Sequence, residues 1–400
     1  MSYTLRSKNK PLITFKITFH EEMILEQSTK VYNLEILNSF DENKNLFPIP
    51  LQINLTNNSL FHWLNKRKAP KNRRFVEKIL NSIGNSDNPL YYVDITHALS
   101  LNDAFWVTND SFDENWEDFN LYQHPFNEIL SQIAFTGYSK KISGVISSPE
   151  FTSNGAMKKF WSNRDDGIYL IKGDDVFSRD DGRSQATMEF YAKQIAEKLQ
   201  FDYIDYDLEE FKHRNGNKEI VCKCKLFTGE DIGFVNAYDF FKINGLDLKE
   251  ESPANITTQS KMAIIYGLEH YQDLMIYDAL ILNKDRHLGN FGYLVDNNTG
   301  KFLKPAPIFD NGISLLLGVA KGDMEHLSSY LQEQSLSYLD FNTQVKYFLQ
   351  KRHLPKIKSL LNFRFVKHPN YNVEDYILEK MNKMIHIQAK RILQYFVDKD

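Results

Sequence analysis

The sequence predicts an α+β protein whose C-terminal part is largely helical, and three patterns carry that expectation. Ile13, Phe15, Ile17 and Phe19 alternate with polar neighbours as a half-buried strand does, and Leu51, Ile53 and Leu55 repeat the pattern. Near the middle, a helical stretch from about Thr258 to Leu282 runs into a polar loop and then two short strands. From Met324 onward, Phe341 to Asn362 and Val373 to Val397 carry apolar residues at three and four spacing.

At the N-terminus, Ser59 is placed to cap a helix carrying Leu60, Trp63 and Leu64, and a second helix follows Pro70 and ends near Gly84. Between them, Lys66, Arg67, Lys68, Lys71, Arg73 and Arg74 put six basic residues among nine. Such a run is first of all a solvated face, and second a patch for phosphates or an acidic partner. Residues 1–95 therefore read as a small α+β unit. Residues 96–140 are aromatic and acidic, with Phe105, Trp106, Trp116, Phe119, Tyr122 and Phe126. Rings this dense pack against a core and do not stay in water, so this is a connecting segment and not a free linker.

The chemistry concentrates in Asn283-Lys284-Asp285-Arg286-His287-Leu288-Gly289-Asn290, with Asp310 twenty residues beyond Asn290 in Ile308-Phe309-Asp310-Asn311-Gly312. An aspartate five residues before an asparagine can orient a substrate hydroxyl while the amide oxygen helps hold magnesium, and a later aspartate holds the metal's other side. Asp, Asn and Gly are also ordinary turn formers, and either half alone would be an ordinary loop. The framing favours phosphoryl transfer: a helix enters the first loop, Phe291 to Val295 leaves it as a strand, Asp296 to Gly300 turns, and a strand around Phe302 leads to Asp310.

These segments resemble the C-terminal domain of HipA-like serine/threonine kinases, which include toxin kinases of bacterial toxin-antitoxin pairs and secreted bacterial relatives. The resemblance runs from about Ser147 to the C-terminus and is strongest from Tyr277 to Gly312. It implies a bilobal protein-kinase-like core with a helical C-lobe, the N-lobe at 141–230 and the C-lobe at 231–400. It also implies ATP and magnesium as cofactors, with Asp285 catalytic and Asn290 and Asp310 on the metal. A nucleotide lysine is then required on an upstream strand, and Gly167 to Gly173 supplies Lys172. The segment Ala186 to Gln200, with Met188, Tyr191, Ala192, Ile195 and Leu199 at helical spacing, supplies Glu189 to hold it.

The same resemblance places a phosphate-covering loop at Ser147 to Phe160. Gly155 alone permits close backbone approach there, and Ser147, Ser148 and Ser153 are candidates for autophosphorylation. It places the hinge at the end of the strand Glu219 to Phe227, where the backbone near Lys225 and Phe227 would meet the adenine edge. Cys222 and Cys224 on that strand read as small buried residues, since their spacing lacks a second ligand pair.

A net charge of −4 over 400 residues argues against a dominant nucleic-acid surface. The two cysteines fit a reducing, cytoplasmic setting, although export of an unbridged effector stays open. No run approaches a membrane span, and the eleven histidines form no zinc-hydrolase frame. The expected partners are a protein substrate and an antitoxin-type protein. Two other classes remain: a phosphoinositide kinase, because lipid kinases also use an Asp-Arg-His-x-x-Asn loop, and a catalytically silent nucleotide-binding module.

Overall fold

The structure is a computed structural model that describes residues 2–24, 27–82, 91–110, 115–141, 148–153, 155–174, 178–327 and 339–397. Ser147, one of the candidate phosphate acceptors, lies outside them. Among the described residues no helix is long and apolar enough to cross a membrane. The chain forms two compact units, one of residues 1–171, 226–235 and 294–304, the other of residues 172–225, 236–293 and 305–400.

In the first unit, β1 (Ser2–Ser7), β2 (Lys10–Ile24), β3 (Gln27–Ser39) and β4 (Phe105–Asn109) form an antiparallel sheet of order β3-β2-β1-β4. The alternation in β2 buries Ile13 and Phe15, but Phe19 is exposed, so only the first half of the strand faces the core. Leu51 to Leu55 differ from the expected strand. Ile49–Ile53 is a short helix with Pro50 in its first turn, where a fixed φ suits the helix and the missing N–H would have cost a ladder bond in a sheet. The next helix, Asn57–Arg67, is capped by Thr56, not Ser59. Ser59 sits three residues on and completes a reciprocal capping box.

Two members of the basic run point inward. Arg67 makes a double ion pair with Asp103 at 2.8 and 2.6 Å and also bonds the carbonyls of Ala98 and Phe105. Arg73 is buried with Glu150, 2.7 Å apart, and donates to the carbonyls of Glu150, Ser153 and Lys159. The aromatic segment is also internal: Trp106 and Trp116 are fully buried with ring centroids 6.1 Å apart. β5 (Lys159–Arg164) and β6 (Gly167–Lys172) are neighbours, and Phe302–Pro305, Gly292–Asp296 and Ile232–Asn236 form a three-stranded sheet in that order. The turn of that hairpin closes on Gly300 at φ +70°, where a Cβ would stand 1.9 Å from the Asn45 carbonyl oxygen.

The second unit opens with the helix Gln185–Lys198, whose Ser184 cap and Thr187 form another reciprocal box. β7 (Tyr206–Lys212) and β8 (Lys218–Lys225) pair antiparallel with Tyr206 opposite Cys224. The helical stretch expected from Thr258 to Leu282 is two helices, Ile256–Tyr266 and Leu268–Ile281, broken at Gly267 with φ +99°. Apolar periodicity continues through that glycine, so the break is invisible to it. The second of these helices is buried at every residue from Leu274 to Ile281, and Tyr277 Oη donates to the Ala192 carbonyl at 3.0 Å. The C-terminal stretch expected from Phe341 to Asn362 is likewise two helices, Phe341–Phe348 and His353–Lys358, before the long helix Asp375–Val397.

Candidate functional site

Lys172 ends β6, and Glu189 lies on the second turn of the helix fixed by the Ser184 cap. The Lys172 ammonium bonds Glu189 Oε1 at 3.2 Å and Asp310 Oδ1 at 2.6 Å. The other Glu189 oxygen accepts the Asn311 N–H at 2.8 Å, so one carboxylate orients both the lysine and the loop that carries Asp310, which follows the strand Phe302–Pro305 and does not end it. Burial would discharge Lys172, but Asp310 above all, with Tyr206 and Glu189, acts through charge to outweigh it and holds the amine well above its ordinary pKa. The lysine is therefore a fixed cation. Burial also raises the Glu189 carboxyl, and Lys172 opposes that shift.

The helix Leu268–Ile281 ends in a left-handed Leu282 at φ +56°, which turns the chain into the loop 283–290. The loop is held from within. Asn283 Nδ2 donates to Asp278 at 3.0 Å and its oxygen accepts the Asp285 N–H at 3.1 Å. Asn290 Nδ2 donates to the Asp285 carbonyl at 3.0 Å. Arg286 is fully buried and paired with Asp278, and it donates to the carbonyls of Asn290 and Phe309 and to Asn311 Oδ1 at 2.6 Å. One guanidinium thus fastens the loop 283–290 to the segment of Asp310. Asp285 itself is half-buried, and among the described residues no group is seen to bond its carboxylate. Burial raises its pKa, the charge of His287 opposes the rise, and the charge of Asp310 adds to it.

No family model matches the sequence, and no curated protein matches it. Among solved structures, the HipA protein of Shewanella oneidensis MR-1, determined with HipB and its operator DNA, is 12% identical and matches 98% of this chain and 97% of its own with a TM-score of 0.50. The chain has the HipA fold. The proinflammatory kinase CtkA of Helicobacter pylori is 17% identical over 60% of this chain and 89% of its own, with a TM-score of 0.42. The fold class is the α+β, HipA-like one expected from the sequence.

Within that HipA-like fold, six of the candidate residues fall in the second unit: Lys172, Glu189 and Asp310, linked by direct bonds, Asp285 and Asn290, linked through their shared loop, and Lys225. Lys225 is exposed at the end of β8. Gly155, Ser148, Ser153 and Phe227 belong to the first unit. There Gly155 has φ +89°, and Ser148 and Ser153 are buried around the short helix Pro149–Phe151. The Phe227 ring packs edge-on against Phe234.

Sequence reasoning missed Asp278, Asn283, Asn311 and Tyr206. Asp278 left a signal, as the one acid among Leu274 to Ile281, all of which are buried. Asn311 left none, because an Asn after an Asp is ordinary in a turn.

Among the described residues no three His, Cys, Asp or Glu side chains gather into a metal-binding group. The donors present suit magnesium nonetheless, since it takes one or two protein oxygens and completes its shell with water and phosphate. Asn290 uses its amide nitrogen within the loop, which leaves the amide oxygen as the acceptor, and the Asp310 side chain is 37% exposed. Cys222 and Cys224 are free and buried, and burial raises both thiols, Cys224 to about 12, so they are not thiolate ligands.

Proposed function

We propose that the chain is a serine/threonine protein kinase that transfers the γ-phosphoryl group of ATP to a protein hydroxyl. The observation that carries this reading is the Lys172 ammonium bonded at once to Glu189 and Asp310, in the same unit as a half-buried Asp285 carboxylate. Lys172 orients phosphate oxygens, and Glu189 keeps its ammonium in place. Asp285 accepts the proton of the acceptor hydroxyl as that oxygen bonds phosphorus and the bond to the ADP oxygen breaks. Magnesium, held by Asn290 and Asp310, would neutralise phosphate charge.

Nucleotide binding and turnover together test the reading. The protein should show a magnesium-dependent thermal shift with ATP and should transfer label from γ-labelled ATP. Asp310→Ala should lose both the magnesium dependence and the turnover. A wild-type protein that shows no magnesium-dependent nucleotide shift would end the kinase reading, and label appearing in phosphoinositides but not in protein would redirect it.

The pH profile gives a second check. Asp285 must be ionised to accept a proton, and its pKa is raised by burial, so activity should fall on the acid side above the ordinary aspartate value of about 3.9. The acid limb of kcat/KM measures this, and a limb at or below that value would remove Asp285 as the base.

The family reading also brings loop autophosphorylation and an antitoxin-type partner, the latter by analogy with HipB in the Shewanella oneidensis complex. Ser148 Oγ accepts the Glu150 N–H at 3.3 Å, while Ser153 Oγ donates to the Pro149 carbonyl and accepts from the Trp161 indole, each at 2.8 Å. Both hydroxyls are engaged in the interior, so phosphorylation of either requires the segment to open first. Comparing phosphoproteomes of cells expressing the wild type and Asp285→Asn would name the acceptor.

A further inference from the structure

Asp310 occupies a left-handed backbone conformation, φ +58°, which an L side chain adopts at a cost and keeps only when its surroundings hold it. Three side chains hold the peptides around it. Arg286 takes the carbonyl of Phe309, Glu189 takes the N–H of Asn311, and Tyr206 Oη accepts the N–H of Asp310 itself at 3.2 Å. The first two have other assigned work in pairing with Asp278 and Lys172. Tyr206 has no counterpart among the residues that phosphoryl transfer requires.

Tyr206 is 2% exposed and opens β7 opposite Cys224. Its ring also faces the Lys172 ammonium, with Nζ 5.5 Å from the centroid, inside the range of a cation–π contact. One phenol therefore touches both members of the Lys172–Asp310 pair, through its oxygen on the aspartate backbone and its face on the lysine.

We propose that Tyr206 is a positioning residue that sets the Asp310 backbone through its hydroxyl and the Lys172 ammonium through its ring. The proposal rests on the kinase reading above. Its two contacts are chemically separable. Tyr206→Phe keeps the ring and removes the oxygen, so the Asp310 peptide loses its acceptor while the face beneath Lys172 remains. Tyr206→Leu removes both.

The experiment uses the full chain and ATP, with nucleotide thermal shifts and steady-state turnover measured across a magnesium titration. Tyr206→Phe should raise the half-saturating magnesium concentration roughly threefold to tenfold, the scale of one hydrogen bond, and should leave the metal-free ATP shift unchanged. Tyr206→Leu should weaken the metal-free shift as well. A residue that only supported the fold would lower the melting temperature of the apo protein without moving the magnesium midpoint. That outcome for Tyr206→Phe would overturn the proposal. The two readings fail differently: no magnesium-dependent ATP shift in the wild type refutes the kinase reading, whereas a normal wild-type response with an identical Tyr206→Phe response refutes only the role of Tyr206.

Discussion

Asp285→Asn should lower turnover by roughly 10²- to 10⁴-fold, the usual contribution of a positioned general base, while ATP still shifts the melting temperature as in the wild type. The separation follows from the geometry. The Asp285 backbone is tied into the loop through the Asn283 oxygen and the Asn290 amide, whereas no bond to its carboxylate is seen among the described residues. Replacing that carboxylate by an isosteric amide leaves both backbone ties in place. A variant that retained near wild-type phosphotransfer would show that the base is another group, and one that lost ATP binding would show that Asp285 supports the nucleotide site instead.

Arg286→Leu should destabilise the protein by about 3–5 kcal/mol, because it leaves Asp278 charged in the interior without its partner. Asp278 and Arg286 are each 1% exposed and 3.0 Å apart. Burial raises the Asp278 carboxyl and opposes the charge on Arg286, and each partner's charge works against that penalty on the other. The double variant Asp278→Leu/Arg286→Leu removes the isolated charge and should recover much of the denaturation midpoint. Turnover should not recover with it. The carbonyls of Asn290 and Phe309 and the Asn311 oxygen would still lack the donor that fastens the loop 283–290 to the segment of Asp310. A double variant with restored stability and restored turnover would show that the guanidinium serves the fold alone.

Much of the fold was legible because its signals are local. The hairpin leading to Asp310, the strand ending in Lys172 and the helix carrying Glu189 are written in alternation, turn residues and caps spaced a few positions apart. The misread elements are those where one residue overrides a regular pattern. Pro50 turns an alternating stretch into a helical turn, and Gly267 divides a continuous apolar period into two helices. In the basic run, six like charges read as surface, yet Arg67 and Arg73 find carboxylates 36 and 77 residues away and go inside. Local spacing holds no information about so distant a partner.

The same division runs through the candidate site. By itself the sequence determined which side chains the proposed phosphoryl transfer could use: Asp285, Asn290 and Asp310 are named by type, order and spacing, and the lysine of β6 by the family resemblance. Tertiary structure alone decided how they are held. Glu189 reaches Asn311 across 122 positions, Tyr206 reaches Asp310 across 104, and Arg286 ties its loop to the Phe309 carbonyl 23 residues on. The physical reason is that a hydrogen bond to a buried peptide group depends on where the chain returns in space, and only the packed core, by excluding water from Asp278, Arg286 and Tyr206, makes those bonds obligatory.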